Sequence, residues 1–418
     1  MPKSIITEEE IAPIVKDFVA YAEYVEKHPI LLTKSQQWLP RKALQAINER
    51  MAAPEQQVTA YSDQISYPLL HLFYHLGLAA KLFRKEQQPK GQQALLPTER
   101  LPLFYQLTTA EKYMALLETL WIDCDWEDIR GKEARSGMSI IVDLVFRELE
   151  QVPPGNTIVA SKDKSGSFLH LFSNFGYFVH YFCYFGFWEM TKDEEKSALF
   201  GKFHYEVKTL TPAPLFYFLG IELYYSRELS YWNLAMRREK GDLRGNPGEP
   251  LPGDDEEWEP ELFIDAMTHY FPKGELVQSL PRETSAFFDG TYVLKIALRP
   301  NCWRSIQLSS HFTLYDLHMA IQEAFEFDDD HLYAFFMDGK TWSSKYAFYS
   351  PDAGDTPVVT DVRLGELNLS AGQSFLYLFD FGDEWEFTVT VEELLTTDTR
   401  KAKPRTIEEK GKSPAQYY

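Results

Sequence analysis

Two groups of acidic side chains and one histidine lie near the C-terminal end of the sequence and could hold a metal ion. They are Asp328, Asp329, Asp330, His331, Asp380 and Asp383. Carboxylates with an imidazole suit a hard or borderline divalent cation, which could activate water for hydrolysis. Their spacing matches neither a calcium-binding loop nor an HExxH motif, and aspartate is also common in turns. The turn role is therefore favoured, and the metal site remains an alternative.

A second set of candidates could form a binding surface. Its members are Trp303, Arg304 and Trp385. Exposed tryptophan and arginine often dominate the energy of protein interfaces. The alternative is that the indoles pack in the core with their N–H groups bonded, and that Arg304 pairs with an acid such as Asp380. A further candidate, His318, falls beside Leu317 on a predicted helix. We expect it to be a core histidine bonded to a backbone carbonyl.

A modest basic cluster in the N-terminal region is the candidate for contact with nucleic acid. It consists of Lys34, Arg41, Lys42 and Arg50. A winged-helix protein would use such a cluster to contact phosphates. Basic residues with acidic neighbours are also common on solvated helix faces, and that interpretation is favoured.

Motifs of common enzymes are absent from the sequence. It has no GxSxG, no GxxxxGK[ST], no GxGxxG after a strand and no kinase signature. Its cysteines, Cys124, Cys183 and Cys302, are far apart and form no CxxC pair, which argues against disulfides and a cysteine zinc site. We therefore expect no cofactor and a protein that is not an enzyme.

The charge is strongly acidic and unevenly distributed. The 42 basic and 62 acidic residues give a net charge of −20, and residues 284–398 alone carry 19 acidic and 6 basic residues, a net of −13. Non-specific attraction to nucleic acid or anionic lipid is not expected of such a chain. The start MPKSIITEEE lacks a signal-peptide core, so a cytoplasmic location is expected. Residues 168–188 are uncharged, but their His, Asn and Gly favour a buried aromatic helix over a membrane span.

The chain is long enough for two or three domains. Residues 1–239 are mainly helical and contain two stretches, at 18–51 and 67–107, that resemble winged-helix subunits. Residues 240–260 form an acidic linker rich in Gly and Pro. Residues 261–283 contain an amphipathic connecting helix. The C-terminal domain then occupies residues 284–418.

Alternation of apolar and polar residues predicts the elements of the C-terminal domain. Residues 291–299 and 302–309 are expected to be paired strands, and Thr313 to cap a helix whose apolar face includes Leu317 while Gln322 lies on the other face. Two hairpins follow, turning at Asp338–Gly339 and Gly382–Asp383. The predicted fold class is α+β, with a β-grasp-like mixed sheet and one packed helix.

The segments of this domain resemble a known family. TYVLKIAL, CWRSIQL, TLYDLHMAIQEAF, DDDHLYAF and FDFGDEWEFTVTVE occur in an order similar to that of the plasmid pRiA4b ORF-3-like family, and the tail PRTIEEKGKSPAQYY resembles its closing segment. The helical N-terminal region is similar to an extension on longer members. The resemblance implies a bacterial lineage and an association with plasmids and transposons. Some members are labelled transposon passenger or resolvase-like proteins, but this sequence has no recombinase motif.

Three functions remain open from the sequence. The first is a non-enzymatic module whose acidic C-terminal domain binds a protein partner through a surface or sheet edge. The second is a DNA-linked regulator acting through the N-terminal region, and the third is a metal-dependent hydrolase or nuclease using the acidic residues. The first is favoured because no diagnostic enzyme or DNA-binding motif supports the others.

Overall fold

The computed structural model describes most of the chain in two compact units. The described residues are 5–88, 92–130, 138–160, 176–200, 206–239, 242, 246–250, 261–282, 287–343, 346–355, 357–396 and 403–416. The first unit contains residues Met1–Met236 and Asn246–Pro281, and the second contains Arg237–Gly245 and Arg282–Tyr418. Each unit has its own hydrophobic core.

The first unit is mainly helical, with aromatic side chains filling much of its core. Its helices are α1 Glu8–Lys27, α2 Arg41–Asn48, α3 Pro68–Ala79, α4 Leu101–Gln106, α5 Thr109–Glu118, α6 Trp126–Arg130, α7 Met138–Glu150, α8 Gly176–Tyr184, α9 Glu194–Phe200, α10 Ile221–Ser226 and α11 Leu229–Trp232. A further helix, α12 Leu234–Glu239, begins in this unit and ends in residues assigned to the second. Wider π turns occur at Thr119–Asp123 and Phe216–Gly220. The strands are β1 Ile30–Leu31, β2 Phe83–Gln87, β3 Gln93–Pro97, β4 Ile158–Val159, β5 Trp188–Lys192 and β6 Val207–Pro212.

These strands form two small antiparallel sheets with the same connectivity. The order is β1-β3-β2 in one sheet and β4-β6-β5 in the other. In both cases the third strand along the chain lies between the first two. Helix α3 precedes the β2–β3 hairpin, and α8 precedes the β5–β6 hairpin. The uncharged stretch 168–188 lies partly outside the described residues, and its described part contains α8 and the start of β5.

The predicted connecting helix at 261–283 is not observed. Two short 3₁₀ turns, Phe263–Ala266 and Thr268–Tyr270, replace it. The guanidinium of Arg227 donates from Nε to the carbonyl oxygen of Phe263 at 3.0 Å and from Nη2 to that of Leu262 at 3.0 Å. The Leu262 carbonyl also accepts from the Asp265 amide at 3.1 Å, which is the i→i+3 bond of a 3₁₀ turn and not the i→i+4 bond of an α-helix.

The second unit is a seven-stranded sheet with one long helix. Its strands are β7 Thr291–Arg299, β8 Cys302–Ser309, β9 Tyr333–Phe336, β10 Ala347–Tyr349, β11 Ser374–Phe379, β12 Trp385–Leu395 and β13 Arg405–Lys410, and the helix is α13 Leu314–Phe325. The α+β class is thus confirmed. The predicted strands at 291–299 and 302–309 match β7 and β8 in both bounds.

The sheet is antiparallel, not mixed as expected. Its order is β10-β9-β11-β12-β7-β8-β13, and every pairing of neighbours is antiparallel. The prediction of a mixed sheet was wrong because α13 delivers β9 to the far side of the sheet, where it pairs with β11 in the antiparallel direction. The β11–β12 hairpin then fills the space between β9 and β7.

Helix α13 begins where the sequence predicts and covers one face of this sheet. The Thr313 hydroxyl accepts from the Asp316 amide at 3.2 Å, while the Asp316 carboxylate accepts from the Thr313 amide at 2.7 Å, which forms a capping box. Leu317 and Phe325 are fully buried against the sheet. Gln322, expected on the outer face, is also buried, with 3% of its surface exposed. The helix therefore presents polar as well as apolar groups to the core.

Candidate functional site

The acidic residues predicted from the sequence lie in two loops at one end of the sheet. Asp328, Asp329 and Asp330 are exposed between α13 and β9, and Asp383 is exposed in the β11–β12 turn. The amide of Asp380 donates to the carbonyl oxygen of Leu332 at 2.9 Å, which holds the two loops together. We call the exposed acids of both loops, together with Glu386 at the start of β12, the acidic loop surface. It comprises Asp328, Asp329, Asp330, Asp383, Glu384 and Glu386.

Asp380 stabilises the β11–β12 turn, which is the role that the sequence analysis favoured for it. Its Oδ1 accepts from the amide of Gly382 at 2.8 Å and from that of Asp383 at 3.3 Å. The left-handed positions of the turn are Asp380 and Glu384, with φ of 57° and 52°. Aspartate tolerates this conformation because its side chain can bond the nearby backbone. Gly382, by contrast, does not supply a positive φ, although the sequence pattern suggested that it would.

The other predicted metal ligands also bind protein groups. His331 Nε2 lies 3.5 Å from Asp380 Oδ2 and 3.7 Å from Asp330 Oδ1. The Gln416 side chain donates to Asp330 Oδ1 at 3.1 Å and accepts from the Asp328 amide at 2.6 Å. Within the described part of the chain, no group of three or more His, Cys, Asp or Glu side chains is placed to hold a metal ion. The geometry therefore gives the metal-site hypothesis no support.

Asp329 instead joins a buried network centred on His318. The imidazole lies 2.8 Å from Asp329 Oδ1 through Nε2 and 2.7 Å from the Tyr377 hydroxyl through Nδ1. Gln322 Nε2 donates to the same hydroxyl at 2.7 Å. Tyr333 stacks on the imidazole, with ring centroids 3.6 Å apart. His318 is thus a core histidine, as predicted, but its partners are side chains and not the expected backbone carbonyl.

The protonation of this network follows from its burial. Desolvation lowers the pKa of His318 to about 4 despite the opposing attraction of Asp329, and it raises the pKa of Tyr377 well above its usual value. At neutral pH the imidazole is therefore neutral and the phenol protonated. Tyr377 then donates to Nδ1, and the Nε2–H group donates to Asp329. Both ring nitrogens of His318 are thus hydrogen-bonded and its side chain is fully buried, so the imidazole stabilises the core and does not face a substrate.

Arg304 holds the C-terminal tail and is not an exposed binding residue. It is 5% exposed, and its Nε donates to the carbonyl oxygen of Ala324 at 2.9 Å. Its Nη1 donates to the carbonyl of Gly411 at 3.1 Å, and Nη2 donates to Ser413 Oγ at 2.9 Å. The prediction that Arg304 pairs with Asp380 was wrong, because the guanidinium faces the end of α13 and the tail beyond β13.

The two predicted tryptophans are partly buried. Lys295 Nζ lies 4.0 Å from the centre of the Trp303 ring, a cation–π contact. Trp385 packs edge-on against Phe327 with ring centroids 5.2 Å apart. Its indole nitrogen is buried and has no hydrogen-bond partner among the described residues. The predicted N–H bond is thus not seen there, and neither ring forms a prominent exposed face.

A different tryptophan, missed by the sequence analysis, is exposed beside the acidic loop surface. Trp342 is 51% exposed, and its indole N–H donates to Glu384 Oε1 at 3.0 Å. Its ring contacts Phe381 with centroids 4.9 Å apart. The neighbouring Thr341 hydroxyl donates to Glu386. A tryptophan in the polar segment DGKTW was the available signal, because nothing in that segment predicts a strand that would bury it.

Trp342 also has an unusual backbone conformation. Its φ is 60°, in the left-handed region that bulky residues rarely adopt. Such conformations cost about 1–3 kcal/mol and persist where surrounding contacts enforce them. The hydrogen bonds of this loop to Glu384 and Glu386 supply that enforcement. The indole is consequently held beside Phe336 and Phe381, with ring centroids 6.2 and 4.9 Å away.

The N-terminal basic residues are exposed but do not surround a DNA-reading helix. Lys34, Arg41, Lys42 and Arg50 are all exposed, and the Arg50 guanidinium lies 5.0 Å from the centre of the Tyr24 ring.

Helix α3 has the chain position of the helix that reads DNA in a winged-helix protein. It contains no charged residue and is mostly buried. It packs against α8, and the side chains of His71 and Tyr181, one from each helix, both bond the carbonyl oxygen of Ile129, at 2.9 and 3.2 Å. Burial lowers the pKa of His71 to about 4, so it is uncharged at neutral pH. The helix cannot enter a DNA groove in this arrangement.

Comparison with known proteins supports the resemblance of the C-terminal domain. Residues 291–416 match the family model of plasmid pRiA4b ORF-3-like proteins. This domain is therefore similar to that family. A crystal structure of a protein of unknown function from Methanosarcina mazei Go1 matches with 28% identity over 31% of this chain and 74% of that chain, at a TM-score of 0.26. The search of curated proteins found no match. Within the described residues, no helix is long and apolar enough to cross a membrane.

Proposed function

We propose that the C-terminal domain is a non-enzymatic protein-interaction module that recognises its partner through the acidic loop surface. One observation carries this proposal. The two acidic loops lie side by side and exposed, and their contacts are to the protein's own backbone and side chains. Exposed charges arranged in this way can orient a partner and increase its association rate, whereas water activation needs a metal or a base next to a cavity.

The charge of the domain supports a protein partner over a nucleic acid. Residues 284–398 carry a net charge of −13, and the phosphate backbone would be repelled by that field. Charge at the rim of an interface contributes mainly to specificity and to the association rate. A partner with a basic surface is therefore the complementary choice.

In this proposal the N-terminal region has a structural role. We interpret it as two winged-helix-like subunits, supported by the matching orders of the two small sheets. Because α3 is uncharged and buried, the DNA-linked alternative would have to use the exposed residues around Arg41 and Lys42. No observation favours that use over a solvated surface. The β-grasp-like character of the C-terminal domain and an association with mobile elements remain proposals that rest on the single packed helix and on the family resemblance.

Cross-linking of the full-length protein in a native bacterial extract tests the proposal, with partners identified by mass spectrometry. The test variant is D330N/D383N, which removes two charges from the acidic loop surface. The matched control is E393Q/E408Q, which removes two exposed charges from β12 and β13 of the same domain. We expect one reproducible set of cross-links from residues 328–332 or 380–386 that the test variant loses and the control retains. Cross-links that are equal in both variants would refute the proposal.

A further inference from the structure

The half-exposed Trp342 ring adds an apolar contact to the acidic loop surface, and together they define the chemistry of a ligand. The indole N–H is used by Glu384, so the polar edge of the ring is satisfied while 51% of the residue stays open to solvent. Phe381, partly buried, supports the ring from the side. Tryptophan in such a position is the residue type that most often anchors a binding partner.

The surroundings of the ring are acidic. Among the described residues of the two loops that meet at Trp342 and of the adjoining start of β12, Asp338, Asp383, Glu384 and Glu386 are exposed, against one exposed cation, Lys340. An aromatic face bordered by carboxylates suits a cationic side chain, which can stack on the ring while its charge is balanced at the rim. The same domain already contains this contact in another place, where Lys295 lies 4.0 Å over the Trp303 ring.

We propose that Trp342 and the acidic residues around it bind an extended segment of a partner protein rich in arginine and lysine, with one cationic side chain stacked on the indole. This inference rests on the proposed function and names the chemistry of its partner. The occupant follows from charge complementarity, since an acidic or phosphate-bearing ligand would meet the carboxylates of both loops. Because Glu384 and Glu386 fix the loop in advance, binding requires little ordering of this surface.

The test measures binding of a fluorescein-labelled peptide to the full-length protein by fluorescence anisotropy in about 150 mM salt, where exposed charges more than about 8 Å apart are largely screened. The probe is a peptide of alternating arginine and glycine, and its matched control replaces each arginine with citrulline, which keeps the shape and removes the charge. We expect saturable binding of the arginine peptide, and weakening by at least about tenfold, or 1.4 kcal/mol, in W342A.

Two further variants separate loss of the contact from loss of folding. W342F keeps an aromatic face that makes a weaker cation–π contact, so its affinity should lie between those of wild type and W342A. Y315A removes another exposed aromatic residue of the same domain, which is 37% exposed, and should bind as wild type does. A one-dimensional NMR spectrum gives a direct readout, because the indole N–H signal missing from W342F should shift when the arginine peptide is added to wild type.

Several outcomes would overturn this inference. Equal binding to wild type and W342A, with loss in D330N/D383N, would leave the acidic loop surface as the binding site without the tryptophan. Failure of the arginine peptide to bind, together with charge-dependent cross-links to a protein in the extract, would leave the proposed function intact and refute the basic segment. Concentration-dependent dimerisation that W342A abolishes, measured by sedimentation, would show instead that a second copy of the chain covers the ring. Binding of the citrulline peptide as strongly as the arginine peptide would refute the role of charge.

Discussion

Removing one hydroxyl from the buried network should destabilise the C-terminal domain by a predictable amount. The Tyr377 hydroxyl is bonded to both His318 Nδ1 and Gln322 Nε2, each at 2.7 Å. Tyr377→Phe keeps the ring and leaves two buried polar atoms without that partner. A buried polar group left unsatisfied costs about 1–3 kcal/mol, so the expected loss for two groups is about 2–6 kcal/mol. A domain of ordinary stability, about 5–15 kcal/mol, should survive a loss in the middle of that range.

Hydrogen exchange of the full-length protein, read by mass spectrometry, measures this loss within the domain itself. Peptides from α13 and β11 should exchange faster in Tyr377→Phe by the factor that corresponds to the lost free energy of opening. Tyr315→Phe is the matched control, because that tyrosine lies on α13 beside the network and is 37% exposed. It should change the free energy by less than about 0.5 kcal/mol. Equal effects of the two substitutions would contradict the network described above.

Three further predictions concern pH, the tail and the hairpin. Burial lowers the pKa of His318 from 6.5 to about 4, so between these pH values the unfolded chain binds a proton that the folded domain does not. The stability of the domain should therefore fall as the pH falls, by at most about 1.4 kcal/mol per pH unit. His318→Gln should flatten this pH dependence of stability, measured by hydrogen exchange of α13. Arg304→Ala should release residues 405–413, since the guanidinium binds the tail at several points; faster proteolysis of the tail measures this, and unchanged cleavage would contradict it. Trp385→Ala should lower the free energy of unfolding by about 2–4 kcal/mol, slightly less than for a fully buried tryptophan because the ring is partly exposed. Glu386→Ala should change it by less than about 0.5 kcal/mol, measured by chemical denaturation. Equal changes in the two variants would mean that the buried face was wrongly assigned.

Local patterns in the sequence predicted the local elements well. The alternation in TYVLKIALR and the pair Thr313 and Asp316 depend on neighbours within a few residues, and the structure confirms both. Helix α5 begins with the same kind of local signal, because Thr108 is its cap and Glu111 completes a capping box.

Long-range pairing explains what the sequence did not show. Strand β13 has six exposed residues, so its side chains lack the alternation that marks a half-buried strand. The order of the seven strands depends on where α13 places β9, which no local pattern encodes. The partners of His318 lie in the loop before β9 and in β11, and those of Arg304 lie in the tail. Such contacts form only when the sheet closes, so residue types and spacing could not identify them.

The exposed tryptophan illustrates the same limit for the candidate site. Trp303 and Trp385 stand in CWRSIQL and FDFGDEWEFTVTVE, two of the segments that resemble the family, and they were candidates for that reason. Trp342 stands in a loop, and its importance depends on the positions of Phe381 and Glu384 beside it. The acidic residues could be found from composition alone, but their arrangement as an exposed surface instead of a metal site required the structure.

Exchange footprinting of the full-length protein with the arginine peptide tests the central claim most directly. At saturating peptide, protection should appear in residues 328–332, 338–343 and 380–386, because these loops form the acidic loop surface and carry Trp342. Citrulline peptide should give no protection in the same loops. Protection confined to residues 5–236, or none at all despite binding by anisotropy, would contradict the claim that this surface of the C-terminal domain recognises the partner.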